Sequence, residues 1–280
     1  MRAEPREGSE MVSQMLLGET AEVLEQIDRW IRIRTRFDNY EGWVNPGQCG
    51  FITAEAEQAW ISDIRLHRSY QSSYKVHHAE SGDALTVPLG AQKIDSPNGI
   101  YLPDGEYFKP DLIAPFVLAG DIVLTAERFA GIPYLWGGRS DLGIDCSGFI
   151  QTLFAIFGYA MPRDSRQQFE LAEPFITDLK DIDHAQRGDL VFFKNPEGRI
   201  VHVGLYVTDG CMIHAGPNVR VNCFAPKWAN RVLFPYDQRL ADRFCGVIRI
   251  TDLVLRKALP RSPMNMNLDD RSPQILDSDA

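Results

Sequence analysis

The change of pattern near residue 121 constrains this chain more than any other feature. From about residue 11 to 110, short alternating runs are separated by turn residues; beyond 121, helical runs come first and strand-like runs follow. Ala21–Ile27 and Trp30–Thr35 alternate with the two-residue period of strands, and Asp38-Asn39 with Gly42 marks a turn. Gly42-Trp43-Val44 resumes extended structure, and Tyr74–His77, Ala84–Val87 and Gly99–Leu102 continue the series with Pro and Gly between them. Short strands at this spacing predict two small β-barrels. Ile122–Ala130 then runs without a breaker to Gly131-Ile-Pro133, and a second helix is expected from Ser147 to about Phe157, stopped by Gly158. Three strand-like runs come last: Asp189–Phe193, His202–Val207 and Cys211–His214. Helices before strands predict an α+β domain. The expected division is 1–58 for the first barrel, 59–112 for the second and 113–252 for the α+β domain. Residues 253–280, with Pro260, Pro263, Pro273 and scattered Asp, Ser and Asn, read as a disordered tail.

Composition narrows the function classes. Lys and Arg number 29 against 38 Asp and Glu, a net charge of −9, so no compact basic surface is available to neutralise a run of phosphates. Nucleic acid is excluded as a partner, and an anionic membrane surface is disfavoured. Neither an apolar leader nor a run of membrane-spanning length stands out, and a monomeric cytoplasmic protein is expected. The five cysteines, Cys49, Cys146, Cys211, Cys223 and Cys245, are odd in number and lack CxxC spacing, which favours reduced thiols.

Three residues carry the chemistry. Gly137-Gly138-Arg-Ser-Asp-Leu-Gly143-Ile-Asp145-Cys146-Ser147-Gly148 leads a glycine-rich loop into an apolar helix, placing Cys146 in the first turn. Free backbone N–H groups and the positive end of the helix dipole there favour a thiolate and an oxyanion. A cysteine before a helix is, by itself, more often a small buried residue; His202 and His214 alter that reading. They lie on adjacent runs joined by Thr208-Asp209-Gly210. A three-residue loop pairs Val207 with Cys211, Gly204 with His214 and His202 with Gly216, bringing both imidazoles to one face. A two-residue loop would separate them. On one face, His202 can take the thiol's proton and return it to a leaving amine, while His214 fixes the tautomer of His202. Zinc is the other chemistry of such a set, but the spacing fits no usual ligand pair and Cys211 alternates away from His214. No metal or cofactor is expected.

Asp145-Cys146-Ser147-Gly148, His202-Val-Gly-Leu-Tyr206 and Ile213-His214-Ala215 resemble the three motifs of the NlpC/P60 papain-like cysteine peptidases. The resemblance implies cleavage of cell-wall peptides between γ-D-glutamate and a diamino acid, without a metal. Glu10-Met-Val-Ser-Gln14 with Leu17-Gly18-Glu19, and Tyr40-Glu-Gly-Trp43-Val44, resemble the bacterial SH3-type barrels of a subgroup with two barrels before the peptidase domain. That subgroup implies a dipeptidyl peptidase releasing L-Ala-γ-D-Glu from free murein tripeptides and tetrapeptides. Its matching positions for the substrate's free amine are Glu19, Tyr40 and Asp164. Asp145, Ser147 and Ser165 match further substrate contacts, and Tyr134 an aromatic residue lining the cleft. An ammonium group entering a cleft needs such carboxylates and a hydroxyl to replace its water. Glu19 and Tyr40 otherwise read as exposed strand and turn residues, and Asp164 as a helix cap. Trp43 and Trp136 read as structural or cleft-lining; Tyr74, His77, His78 and His184 have no evident partner.

The reading that follows is an α+β, papain-like cysteine peptidase behind two SH3-like barrels, recycling free wall peptides. The alternatives are an exported hydrolase whose barrels grip the polymer, a non-catalytic binding module, and an acyltransferase on a related scaffold.

Overall fold

The computed structural model describes residues 1–111, 121–172, 182–228 and 234–249. The expected tail over 253–280 and the boundary expected at 112 lie outside these residues. Among them the chain forms two β-rich units and then an α+β unit.

In the first unit, β1 (Ala21–Ile27), β2 (Trp30–Thr35) and β3 (Glu41–Val44) form an antiparallel meander around buried Ile31, Ile33 and Val44. β1 and β2 have the bounds their alternation predicts. The chain's start joins this sheet through Arg2, whose N–H donates to the Trp43 carbonyl at 2.7 Å and whose carbonyl accepts from the Trp43 N–H at 2.8 Å. Helix α1 (Ala54–Ser62) was not expected, and it crosses the expected boundary at residue 58. Its start was nevertheless written in the sequence. The Thr53 hydroxyl accepts from the Ala56 N–H at 3.2 Å, and Glu55 and Glu57 stand in the positive first turn.

The second unit is a sheet of β4 (Leu66–Arg68), β5 (Tyr74–His78), β6 (Ala84–Val87), β7 (Gln92–Ser96), β8 (Gly99–Tyr101) and β9 (Tyr107–Pro110). Its order is β4-β7-β8-β9-β5-β6, around Val76, Val87, Ala91 and Ile100. The histidines read as unpartnered are paired here: His77 with Asp111 at 2.7 Å, and His78 with Glu106.

In the α+β unit, α2 (Ile122–Ala126), α3 (Cys146–Ile156) and α4 (Ser165–Ala172) precede the main sheet, with the short hairpin β10 (Arg139–Ser140) and β11 (Gly143–Ile144) between the first two. The sheet comprises β12 (Leu190–Lys194), β13 (Ile200–Thr208), β14 (Cys211–Ala215), β15 (Val219–Cys223) and β16 (Phe244–Ile248), the last preceded by α5 (Gln238–Arg243). Among the described residues its order is β15-β14-β13-β12-β16, antiparallel throughout. Every residue of α3 is buried. Phe149, Ile150 and Leu153 share a core with Phe192, Val203, Leu205 and Ile213, while the alternate residues Val191, Phe193, Tyr206 and Met212 fill a second core with Phe224 and Val247. Burial on both faces explains why these strands read as near-continuous apolar runs.

The expectation of reduced cysteines does not hold throughout. Cys211 and Cys223 stand directly opposite across β14 and β15, their Cα atoms 3.9 Å apart, and are joined by a disulfide; Cys49, Cys146 and Cys245 are free. That pairing comes from strand register, which cysteine counting does not reveal.

The three units meet on a buried charge cluster. Glu19 of the first unit accepts from Arg139 of the α+β unit through both Nη atoms, each at 2.9 Å, and from Arg68 Nη1 at 2.7 Å. The Leu16 N–H at 2.8 Å completes its shell. The side chains of Glu19 and Arg139 are each 1% exposed. The Phe37 ring lies under Arg68, with the guanidinium carbon 4.1 Å from its centroid. Burial pushes the Glu19 carboxyl up, but Arg139 and Arg68 outweigh it and hold the group down at about 2.

Removing one partner of such a cluster strands the others in a dry site. Glu19→Gln should therefore cost about 3–5 kcal/mol in urea unfolding at neutral pH. The folded pKa lies below the ordinary 4.5, so the carboxylate's contribution is complete above that value and disappears as pH falls towards about 2. The gap between variant and wild type should close over the same interval. A variant as stable as wild type at pH 7 would contradict this account.

Candidate active site

Asp145 organises the start of α3. Its Oδ1 accepts from the Gly148 N–H at 2.7 Å, capping the helix, and its Oδ2 accepts from the Gly137 N–H at 2.8 Å, holding the preceding loop. Arg163 adds a two-pronged ion pair, Nη1 to Oδ1 at 3.0 Å and Nη2 to Oδ2 at 2.6 Å. The same arginine donates from Nε to Ser13 Oγ of the first unit at 3.1 Å and from Nη1 to Ser147 Oγ at 3.0 Å. Gly148 is needed on packing grounds, since a Cβ there would lie 2.2 Å from the Gly138 carbonyl oxygen. The result is a rigid loop–helix junction with Cys146 as the first helical residue.

His202 and His214 share a face, by a route the sequence did not show. The loop is the two residues Asp209 and Gly210, both at positive φ (49° and 67°), closing Thr208 onto Cys211 in the manner of a type I′ turn. A two-residue loop should separate the histidines, but the register slips between Tyr206 and Thr208, leaving Val207 as a bulge. That extra residue restores the parity: Tyr206 faces Met212 and Leu205 faces Ile213, so His202 and His214 project together. The imidazoles meet edge to face, His202 Nε2 to His214 Nδ1 at 2.8 Å. Gly204 stands opposite His214 and leaves the space for this contact. Behind His214, Nε2 meets Asn222 Oδ1 at 3.1 Å, and Asn222 Nδ2 donates to the Pro235 carbonyl at 3.2 Å.

Cys146 comes to this pair through its contacts with β13. The backbone N–H groups of Val203, next to His202, and of Ser147 are near enough to its sulfur to favour the thiolate. Burial opposes them more strongly, with Asp145 adding to it, and the thiol is pushed up to about 12. The stabilised thiolate expected from the helix dipole is thus not the resting form. Burial also lowers the pKa of His202, with His214 as a second cause, and burial lowers that of His214 against the support of Asn222. Burial therefore favours the neutral form of all three groups.

The remaining expected site residues divide into two groups. Tyr40 and Asp164 come together across the junction of barrel and α+β unit, the Tyr40 hydroxyl donating to the carboxylate at 3.4 Å. Burial pushes both upward: the Asp164 carboxyl above its usual range and the Tyr40 phenol to about 12. Tyr134 is partly open to solvent, with Cys146 and Asp145 close enough to act on its hydroxyl. Ser165 opens α4 and is buried.

Glu19, Asp145 and Ser147 are spent differently from the expectation. The Glu19 carboxylate is saturated by Arg139, Arg68 and Leu16, leaving no site for a ligand's amine. The Asp145 carboxylate is filled by Gly148, Gly137 and Arg163, and Ser147 Oγ accepts from Arg163. Arg163 and Asn222 were not singled out, because their partners lie on distant segments. Glu10 is an exposed acid whose Oε1 accepts from the Trp136 indole at 2.7 Å. Among the described residues no group of three His, Cys, Asp or Glu converges as metal donors would.

Gly204→Ala tests the histidine pairing. The added Cβ would lie 2.4 Å from Met212 Sδ and 3.1 Å from His214 Cβ. Crowding of this kind should cost about 1–3 kcal/mol in urea unfolding and part the imidazoles, read as movement of both histidine ring signals by NMR. Unmoved signals would contradict the role given to Gly204.

Similarity to known proteins accords with this architecture. Residues 131–234 match the NlpC/P60 family, and residues 1–48 match the bacterial dipeptidyl-peptidase SH3 domain. The gamma-D-glutamyl-L-lysine dipeptidyl-peptidase of Bacillus cereus is 27% identical over 234 residues, covering 74% of this chain and 68% of that protein. Dipeptidyl-peptidase 6 of Lysinibacillus sphaericus is 28% identical over 246 residues, covering 79% and 86%. In fold, the crystal structure of an NlpC/P60 family protein from Bacillus cereus superposes with a TM-score of 0.67 at 24% identity, covering 85% of this chain and 81% of that one. With its Cys-first helix packed on an antiparallel sheet, the chain carries an NlpC/P60 cysteine peptidase domain behind a bacterial dipeptidyl-peptidase SH3 domain.

Proposed function

We propose that this peptidase hydrolyses the bond between γ-D-glutamate and a diamino acid in free peptidoglycan peptides, releasing L-Ala-γ-D-Glu, as a step in recycling them. The observation that carries this reading is the meeting of Tyr40 with Asp164, two residues 124 positions apart. It puts a hydroxyl and an under-compensated carboxylate beside Arg163, and hence beside the Cys146 junction. An ammonium group is what such a carboxylate lacks, and the unblocked N-terminus of a peptide supplies one. With Glu19 committed to arginines, Glu10 is the exposed acid that the first barrel offers at the Trp136 rim. The names of the Bacillus and Lysinibacillus relatives accord with dipeptide release.

In the proposed reaction Cys146 Sγ attacks the γ-carbonyl carbon of D-glutamate while its proton passes to His202. The oxyanion forms beside the first-turn amides of α3, which have no partner within the helix. Collapse breaks the C–N bond as His202 returns the proton to the leaving amine. Water, deprotonated by His202, then attacks the thioester and releases the dipeptide acid and the thiol. His214 holds His202 through both half-reactions, and Tyr134 lines the cleft. The disulfide between Cys211 and Cys223 favours a second reading, an exported enzyme acting on polymeric wall, since such bonds persist in oxidising compartments.

Paired substrates separate the two readings. L-Ala-γ-D-Glu-diaminopimelate should be cleaved, and the same peptide carrying a muramic acid group on its N-terminus should not; equal cleavage of both would sink the free-amine reading. Cys146→Ala should abolish turnover, and Tyr40→Phe or Asp164→Asn should raise KM by about tenfold or more, the scale of a lost charged hydrogen bond. The lowered pKa of His202 also sets a direction in pH. The base stays neutral as pH falls through 6.5, so the acidic limb of kcat/KM should lie below that value. A limb at or above it would show that the imidazole is not held neutral by burial.

A further inference from the structure

Among the polar groups that the proposed reaction leaves unused, Asn222 stands closest to its chemistry. It lies on β15, where Met212 pairs with Asn222 and His214 with Arg220, so Asn222 projects to the face that carries His214. Its side chain is buried and bonded at both ends, to His214 Nε2 and to the Pro235 carbonyl. A carbonyl only accepts, so the atom facing Pro235 must be the amide nitrogen, and the atom facing His214 must be the amide oxygen. That oxygen accepts only, so His214 Nε2 must carry a hydrogen, and in a neutral ring Nδ1 is then the bare nitrogen. Nδ1 meets His202 Nε2, which must donate, and the lone pair of His202 is left on Nδ1.

We infer that Asn222 is a positioning residue: anchored on the Pro235 carbonyl, it fixes the tautomers of both histidines and so leaves Nδ1 of His202 as the base for Cys146. The backbone thus determines the protonation of the base through three relayed hydrogen bonds. Without the amide oxygen, His214 can hold its hydrogen on Nδ1 instead. His202 Nε2 must then accept, and its own hydrogen moves to Nδ1, where it cannot take the thiol's proton. The inference rests on the assignment of Cys146 and His202 in the proposed function, but its first test needs no substrate and so fails separately.

Long-range proton–nitrogen NMR of histidine-labelled wild-type protein should show His202 protonated on Nε2 and bare on Nδ1, and His214 the same. A His202 protonated on Nδ1 would overturn the inference whatever any variant does. Asn222→Gln keeps both an acceptor for His214 and a donor for the Pro235 carbonyl and should retain the wild-type tautomers and kcat within about threefold, whereas Asn222→Leu should lower kcat by at least about tenfold with KM little changed, a smaller echo of the wrong-tautomer effect in other triads. Equal losses in the two variants, both folded by circular dichroism, would mean that the amide only packs, and would overturn it. So would wild-type tautomers and turnover in Asn222→Leu. If Asn222→Leu does not fold, the wild-type spectrum still decides.

Discussion

The carboxylate of Asp145 is the point on which the site depends. It is a helix cap, a loop anchor and one half of a buried ion pair at once, through Gly148, Gly137 and Arg163. Each bond would be modest in water; in a dry site with every lone pair used, the set is cooperative and the loss of one partner exposes the others. Because Arg163 also reaches Ser13 of the first barrel, the position of Cys146 is tied to the barrel's position. The Cys146 thiol therefore sits on a scaffold that spans two units of the fold, which suits a reaction in which a small displacement of the nucleophile is costly.

Glu19 does for the whole molecule what Asp145 does for the helix. Two arginines from different units share one carboxylate with almost no solvent. Such a cluster is a poor source of net stability compared with apolar packing, but it permits one arrangement of the units, because any other leaves charges unpaired. That arrangement brings Tyr40 to Asp164. The first barrel consequently borders the α+β unit at Tyr40 and Asp164, and the acid that the sequence suggested for ligand binding is the one that fixes the barrel in place.

Electrostatics within the cleft follow from burial more than from dipoles. The helix N-terminus and two N–H groups favour a thiolate, but desolvation and the neighbouring Asp145 reverse the balance. Burial thus favours the neutral thiol and the neutral imidazoles over their charged forms. The relay from Pro235 through Asn222 and His214 to His202 matters for that reason, since a neutral imidazole has two tautomers and only one of them is a base towards the thiol.

The sequence by itself determined several of the elements and the candidate chemical groups. Alternation placed β1, β2 and β6, the glycine-to-apolar transition placed α3 with Cys146 at its head, and two histidines on adjacent strands suggested the pair. These are local signals, read within a few residues. The tertiary structure decided what depends on partners in other elements: Arg163 against Asp145, Arg139 and Arg68 against Glu19, and Asn222 beneath His214. It also decided parity. A two-residue turn alone would have split the histidines, and the bulge at Val207 rejoins them. Periodicity can name the residues that face a core, but a register shift of one residue, or a carboxylate claimed by a distant arginine, is fixed only when the chain closes on itself.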